Sequence, residues 1–165
     1  MNSLLIIGEC GVGKTWVCAN AVKELKLKKK AQIGKIKFHH NDAIILAGVY
    51  DGSVFQGTDR LSMSIMSDID LFLNYTEGKT LIAEGDRFTN STFIKKANPT
   101  IFRILGDGLE GRKKRGTKQS ERQIKSIATR VNNISSSYKD IINVDNSNDC
   151  LSEIISYVRM NRGVK

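Results

Sequence analysis

The feature that most constrains this chain is residues 8–15, which read G-x-x-x-x-G-K-T. Glycines at these positions let consecutive backbone N–H groups wrap a phosphate, the lysine ammonium reaches the terminal phosphates, and the threonine hydroxyl can hold Mg²⁺. The apolar residues 4–7 precede the motif and are typical of a buried parallel strand, and apolar residues at helical spacing follow it from Val17 to Leu25. The sequence therefore predicts strand, phosphate-binding loop and helix in the order that the motif requires, in preference to a glycine-rich turn without a ligand.

This motif supplies a first set of candidate residues. Lys14 is predicted to contact the terminal phosphates, and Thr15 is predicted to hold a metal ion. A rival dinucleotide-binding pattern, G-x-G-x-x-G, fits poorly because Trp16 stands where its third glycine belongs. The residues predicted to bind a nucleotide are Gly8, Gly11, Val12, Gly13, Lys14, Thr15 and Trp16.

A length of 165 residues with 40% hydrophobic content predicts one globular domain spanning residues 1–165, large enough to bury a core without disulfides or a structural metal. The three cysteines have no C-x-x-C spacing, so neither a disulfide framework nor a zinc site is indicated. No apolar run in the sequence approaches the length of a membrane span. We therefore expect a soluble, cytoplasmic protein without a membrane partner; the sequence carries no signal for its oligomeric state.

The chain is basic, with 26 Lys plus Arg against 17 Asp plus Glu and a formal net charge of +9. The basic residues concentrate in residues 23–37 and again in residues 112–130. Such patches raise the local concentration of a polyanion, so DNA contact is one interpretation and a solvated surface is the other. For the second patch a further interpretation is a lid at residues 107–130 that closes on a transferring phosphoryl group. Its candidate catalytic arginines are Arg112, Arg115 and Arg122.

Carboxylates gather at two places after the first helix. Residues 51–60 form a polar loop in which Asp59 is either the cap of a following helix or a base that removes a proton from an acceptor. A second apolar run predicts a buried strand that ends at Glu84 and is followed by Asp86 and Arg87. Neighbouring parallel strands end at the same edge of a sheet, so Glu84 or Asp86 is predicted to reach the metal or the acceptor, and Arg87 a phosphate. An ordinary turn at the strand end is the alternative.

The remaining elements follow from periodicity and turn residues. His39 and His40 form an adjacent pair without a third ligand nearby, so they are interpreted as surface or acceptor-contacting residues and not as metal ligands. Further predicted elements are a charged exit from the first helix at residues 27–31, a hairpin of residues 34–40 and 43–50, a long helix after Arg60, a short helix at 89–97, a strand at 100–105, a basic flap at 106–116, a helix from Ser120, a strand at 141–144 and a closing helix.

Residues 8–15, the element Asp86-Arg87-Phe88 and the late arginine-rich flap together resemble the P-loop nucleoside and nucleotide kinases, and Asp86-Arg87-Phe88 is similar to the D-R-[YFH] element of thymidylate kinases. The resemblance implies an α/β fold in three layers, with a mostly parallel five-stranded sheet, helices on both faces and a basic lid. It implies ATP as the phosphate donor and Mg²⁺ as the cofactor. It also implies that Asp86 and Arg87 serve the acceptor, and that the lid arginines serve the phosphates.

Two departures from thymidylate kinases bear on the acceptor. Cys10 stands where those loops usually carry an acid, and residues 51–60 do not match their nucleotide pocket. That loop, with residues 84–88 and the helix at 119–133, looks more like small bacteriophage kinases that phosphorylate 5-hydroxymethyluracil within DNA. A basic chain suits such a substrate, because binding a polymer needs phosphate contacts beyond the active site.

The expected function is therefore transfer of the γ-phosphate of ATP to a hydroxyl of a modified base in DNA. A kinase of free deoxynucleoside monophosphates is the alternative. A nucleotide-hydrolysing binding switch is a second alternative, although the guanine-reading N-K-x-D of GTP switches is missing from the sequence.

Overall fold

The structure is a computed structural model that describes residues 2–116 and 119–161. Its strands are β1 (Asn2–Gly8), β2 (Lys29–Ile33), β3 (Ile36–His40), β4 (Ile44–Ala47), β5 (Thr80–Glu84), β6 (Thr100–Ile104) and β7 (Ile141–Val144). Its helices are α1 (Lys14–Glu24), α2 (Ile69–Tyr75), α3 (Ser91–Ala97), α4 (Leu109–Arg115), α5 (Glu121–Ser137) and α6 (Ser147–Asn161). All the helices within these ranges fall short of the length and apolarity that a membrane span requires.

Within the described residues the strands form one sheet of seven, in the order β2-β3-β4-β5-β1-β6-β7. The five strands from β4 to β7 in this order are parallel to their neighbours, as predicted. Strands β2 and β3 extend the sheet at one edge by antiparallel pairing. The predicted strand count is therefore corrected from five to seven, and the predicted hairpin corresponds to β3 and β4.

The prediction of a charged exit at residues 27–31 is wrong from Lys29 onward, where β2 begins. Its lysines are exposed, whereas Ala31 and Ile33 are partly buried against the core. An edge strand needs only one half-buried face and tolerates lysines on the other. The charged composition of residues 29–33 therefore did not indicate a strand.

Strand β1 shows how the three layers arise. Its four central side chains, all fully buried, alternate between two cores because successive side chains of a strand point to opposite faces. Leu5 and Ile7 pack with residues of α2, α3 and α5, whereas Leu4 and Ile6 pack with residues of α1 and α6. Burying each such side chain contributes about 1.5–3 kcal/mol, so β1 anchors both faces of the sheet.

The long helix predicted after Arg60 is wrong in its first half. Thr58–Arg60 and Ile65–Asp68 are separate 3-10 turns, and α2 begins only at Ile69. Leu61 has an extended backbone, with φ −85° and ψ 155°, which ends the first turn. Leu61 and Ile65 are nevertheless buried, so the apolar spacing identified core residues but not a continuous helix.

The segment predicted as a basic flap at residues 106–116 is mostly helix, namely α4. The connection predicted at Thr117 and Lys118 lies outside the described residues. Helix α5 begins where it was expected, because Ser120 forms a capping box. The Ser120 hydroxyl accepts the N–H of Gln123 at 3.3 Å, and the Gln123 side chain accepts the N–H of Ser120 at 2.9 Å.

His39 is buried, so its interpretation as a surface histidine is wrong. Only 4% of it is exposed, and its Nε2 accepts the N–H of Tyr50 at 3.1 Å. Burial, reinforced by the nearby charge of Lys30, lowers the pKa of His39. The neutral ring thus fixes the backbone at the start of the loop that follows β4.

Candidate functional site

The loop between β1 and α1 holds its own lysine. Gly13 has φ 101°, a conformation that strains any residue with a side chain. Nζ of Lys14 donates to the carbonyl oxygens of Gly8 at 2.7 Å and Glu9 at 2.8 Å. Burial lowers the pKa of Lys14, and the nearby carboxylate of Glu84 opposes that shift. Two carbonyl groups of the loop therefore hold the ammonium group. A bound phosphate can take their place.

Glu84 ends β5, and the parallel pairing of β5 with β1 brings it beside the phosphate-binding loop. The residue is 2% exposed, and its Oε1 accepts the Thr15 hydroxyl at 3.3 Å and the Tyr50 hydroxyl at 3.2 Å. The backbone N–H of Thr58 also donates to Oε1, at 3.5 Å. Burial raises the pKa of Glu84 above its ordinary value. A cation bound beside Glu84 therefore stabilises the charged form of this carboxyl, which burial disfavours.

Thr15 and Glu84 fit a magnesium site. Their oxygens are hard ligands, and Mg²⁺ usually combines one or two such groups with waters and substrate phosphates. Within residues 2–116 and 119–161, no group of three His, Cys, Asp or Glu side chains could hold a metal by protein ligands alone. The donor set therefore suits a metal ion that arrives together with a nucleotide.

Gly57 is not among the predicted site residues, yet it closes the neck of the loop at residues 50–57. Gly57 and Val49 exchange two backbone hydrogen bonds, of 2.6 and 3.1 Å. Gly57 has φ 99°, and a Cβ atom there would lie 2.8 Å from Oε1 of Glu84 and 2.9 Å from Cγ2 of Thr15. Only glycine lets the backbone approach both side chains this closely. No signal in the sequence distinguishes it from Gly52 in the same loop.

Asp59 is an exposed carboxylate in the 3-10 turn that follows this neck. No side chain caps the turn, so the interpretation of Asp59 as a helix cap is wrong. Asp59 makes no hydrogen bond or ion pair with any residue that the structure describes. Its negative charge acts electrostatically on both Lys14 and Glu84. It is thus a carboxylate without a structural partner that faces the phosphate-binding loop.

Glu84, the last residue of β5, and Asp86, two residues later, have different surroundings. Asp86 forms an ion pair with Arg130 of α5, which is not among the predicted site residues. The side chains of this pair are 31% and 39% exposed, so the pair is screened by water. Arg87 donates from Nε to the carbonyl oxygen of Leu61 at 3.5 Å, a long hydrogen bond. Glu84 therefore interacts with Thr15 of the phosphate-binding loop, whereas Asp86 interacts with Arg130 of α5.

Helix α4 packs directly on the phosphate-binding loop, backbone against backbone. A Cβ atom at Gly108 would overlap the carbonyl oxygen of Cys10, and one at Gly111 would overlap the carbonyl oxygen of Gly11. Nη1 of Arg112 donates to the carbonyl oxygen of Cys10 at 2.7 Å. The guanidinium of Arg112 therefore fastens α4 to the loop.

One cleft of about 1560 Å³ lies between the phosphate-binding loop, the loop after β4 and the helices α4 and α5. Arg130 and residues 145–148 line it although the sequence did not indicate them, because only the folded chain brings α5 and the start of α6 to this place. Of the predicted site residues, the cleft contains all but Arg112, namely Gly8, Gly11, Val12, Gly13, Lys14, Thr15, Trp16, Asp59, Glu84, Asp86, Arg87, Arg115 and Arg122.

No protein-family model matches the sequence, and no curated protein matches it. Among solved structures, a gluconokinase from Sinorhizobium meliloti 1021 is similar with a TM-score of 0.51, over 97% of each chain and at 9% identity. A shikimate kinase from Aquifex aeolicus vf5 has a TM-score of 0.49, over 99% of each chain and at 17% identity. The similarity to the gluconokinase confirms the predicted three-layer α/β fold of the P-loop kinases.

Proposed function

We propose that this protein is an ATP-dependent kinase that transfers the γ-phosphate to a hydroxyl of a modified base in DNA. One observation carries the proposal: the unpartnered carboxylate of Asp59 lines the same cleft as a phosphate-binding loop and its adjoining acid. The loop supplies the means to bind a donor, and the carboxylate supplies the base that a hydroxyl acceptor needs.

The donor is bound by the loop amides and Lys14. Lys14 exchanges its bonds to the carbonyl oxygens of Gly8 and Glu9 for bonds to the β and γ phosphates, which carry more negative charge. Thr15 and Glu84 would hold Mg²⁺. The metal, when bound, offsets the negative charge of the phosphates. A cation at this place also stabilises the charged form of Glu84, which burial disfavours.

Asp59 acts as the general base toward the acceptor. The acceptor oxygen attacks the γ-phosphorus, the bond from that phosphorus to the leaving oxygen of ADP breaks, and the hydroxyl proton passes to the carboxylate of Asp59. Asp86 is less suited to this role because Arg130 already engages it. Asp86, Arg87 and Arg130 instead orient the acceptor.

The lid arginines divide into two roles. Arg115 and Arg122 line the cleft and stabilise the charge that develops on the transferring phosphoryl group. For Arg112 we infer a positioning role, because its bond to the carbonyl oxygen of Cys10 holds the lid against the phosphate-binding loop.

The net charge of the whole chain supports DNA as the source of the acceptor, although the cleft itself is lined by six acidic residues beside seven basic ones. Lys23 and Lys114 line the cleft together with the arginines of the lid and of α5, in a chain of net charge +9. Cations in this number can bind several phosphates of a polymer. A base inside a duplex must first leave the stack to reach the cleft.

A free deoxynucleoside monophosphate is the second candidate acceptor. It is favoured by Arg87, whose guanidinium makes one long hydrogen bond, of 3.5 Å, within the described residues. A guanidinium that is so weakly engaged can bind a 5′-phosphate in the bidentate manner that arginine prefers.

An acceptor panel tests the proposal. The protein is incubated with γ-labelled ATP and Mg²⁺ and, in parallel, with unmodified DNA, DNA that contains 5-hydroxymethyluracil, and each deoxynucleoside monophosphate. We expect label in the modified DNA alone. Label only in a nucleoside diphosphate would establish the second candidate, and release of inorganic phosphate that no acceptor stimulates would contradict a kinase.

A further inference from the structure

Four large apolar side chains stand in solvent at or beside the cleft, and we call them the apolar rim. Their exposed fractions are 44% for Trp16, 62% for Val54, 60% for Phe55 and 76% for Met63. Trp16, Val54 and Met63 line the cleft, and Phe55 adjoins Val54 in the chain. An exposed apolar cluster that is bordered by polar residues marks a binding surface.

The loop that carries Val54 and Phe55 is fastened by polar contacts. Arg60 donates to the carboxylate of Asp51 at 3.0 Å and to the hydroxyl of Ser53 at 3.3 Å. Hydrogen bonds from Ser53, together with the charge of Arg60, lower the pKa of Asp51 to about 2, so this carboxylate stays charged near neutrality. The loop is therefore preorganised, and it presents its two large apolar side chains outward while its polar groups satisfy one another.

Basic residues share the cleft with the apolar rim. Lys23 of α1 and Lys114 of α4 line the same cleft as Trp16. Aromatic side chains next to a basic groove are the means by which proteins hold unpaired nucleic acid, because bases stack on the rings while phosphates meet the cations. The combination of exposed rings and nearby cations therefore fits a polynucleotide better than an apolar protein surface.

Resting on the proposed function, we propose that the apolar rim is a stacking surface for the unpaired bases that flank the acceptor base in a DNA strand. Extrusion of a base costs the stacking that it leaves, and the rim replaces part of that stacking. The surface favours a polynucleotide over a free nucleotide, because the single base of a free nucleotide occupies the cleft and leaves the rim uncovered.

The chain contains one tryptophan, Trp16, so its fluorescence reports directly on the rim. The protein is titrated without ATP with a short unmodified single strand, and in parallel with the matching duplex. We expect the single strand to quench the emission and to bind more tightly than the duplex, because duplex bases are already stacked. Equal binding of the two, or no quenching by the single strand, would overturn the proposal.

A double variant, Val54→Ala with Phe55→Ala, tests the same surface by mutation. Its affinity for the single strand should fall about tenfold, in the range found for the loss of stacking on aromatic side chains. The slope of log affinity against log salt should stay unchanged, because that slope counts phosphate contacts. The matched control is Leu71→Ala on α2, which removes a side chain that is also 60% exposed but lies outside the cleft lining. It should bind as the unaltered protein does.

Unchanged affinity of the double variant would contradict the stacking surface. Dimerisation of the unaltered protein that the double variant abolishes, with oligonucleotide affinity intact, would assign the rim to a second copy of the chain and overturn the proposal. The expected binding pattern without phosphoryl transfer to any acceptor would support the surface and count against the proposed reaction alone.

Discussion

The two sides of the cleft are built in opposite ways. On the donor side, which comprises the phosphate-binding loop and Glu84, the Glu84 side chain is buried, Lys14 and Thr15 are half-buried, and Lys14 is held by backbone carbonyl groups. The acceptor side comprises residues 50–63. Its side chains Asp59 and Phe55 are exposed and are carried by a short loop and the turn that follows it. The triphosphate chain is the same in every nucleoside triphosphate, so its site can be rigid and closed. Acceptors differ between kinases, and the loop that we propose to meet the acceptor is where the sequence departs from the thymidylate kinases that it resembles.

The largest effect is expected on the donor side from Lys14→Ala. Removal of an ammonium group that meets the transferring phosphate should slow single-turnover transfer by about 10²–10³-fold. The matched control is Lys95→Ala, an exposed lysine of α3 outside the cleft lining, which should leave the rate unchanged. Transfer that proceeds normally in the Lys14 variant would show that the loop is not the donor site.

On the acceptor side, Asp59→Asn should lower kcat by about 10²-fold or more, because the amide cannot take the hydroxyl proton. The KM for ATP should change much less than kcat, because Asp59 forms no hydrogen bond or ion pair with the phosphate-binding loop and acts on Lys14 only through its charge. Asp86→Asn is the comparison, and it should raise the KM for the acceptor more than it lowers kcat. The reverse pattern, with kcat lost at Asp86 and kept at Asp59, would exchange the roles of the two acids.

Gly57 joins the two sides, and Gly57→Ala should lower the free energy of unfolding by about 2–3 kcal/mol, from a strained backbone and a forced contact. Gly52→Ala is the matched control, since Gly52 also has positive φ, 84°, but nothing lies within 4 Å of its Cβ position. Gly52→Ala should lower the free energy of unfolding by the backbone strain alone, about 1 kcal/mol. Urea unfolding of both variants checks the difference, and equal losses would mean that the contact of Gly57 with Glu84 and Thr15 carries no weight.

The smallest effect concerns pH. Because burial raises the pKa of Glu84 above 4.5, the folded state prefers the protonated carboxyl. That contribution to stability is present below the unfolded pKa and is lost as pH rises through the higher folded pKa. Without nucleotide and Mg²⁺, the unaltered protein should therefore lose more stability between about pH 4.5 and neutrality than Glu84→Gln, which cannot ionise. Thermal unfolding across this range tests the expectation, and parallel curves would contradict it.

The same contrast between the two sides governs what the sequence could predict. The donor side follows from contiguous residues, because strand, loop and helix adjoin one another at residues 4–25. The position of Glu84 near the phosphate-binding loop could also be predicted from the sequence, since neighbouring parallel strands end at one edge of the sheet. These features depend on local order and on a general rule of sheet topology.

The acceptor side depends on contacts between distant parts of the chain. Asp86 and Arg130 are 44 positions apart, and Gly57 approaches Glu84 only when it pairs with Val49 at the neck of the loop. Strand β2 was concealed by its lysines, and α4 was concealed by glycines that are needed for its close approach to the phosphate-binding loop. Propensity and composition describe single segments, whereas these features arise from how segments meet.

The central claim is that one cleft passes a phosphate from ATP to a base hydroxyl in DNA with Asp59 as the base. The most direct measurement is mass spectrometry of nucleosides from DNA containing 5-hydroxymethyluracil, digested after incubation with the protein, ATP and Mg²⁺. The account predicts one added phosphate on the modified base, and its loss in Asp59→Asn. Phosphate found only in free nucleotides, or released as inorganic phosphate with the DNA unchanged, would contradict it.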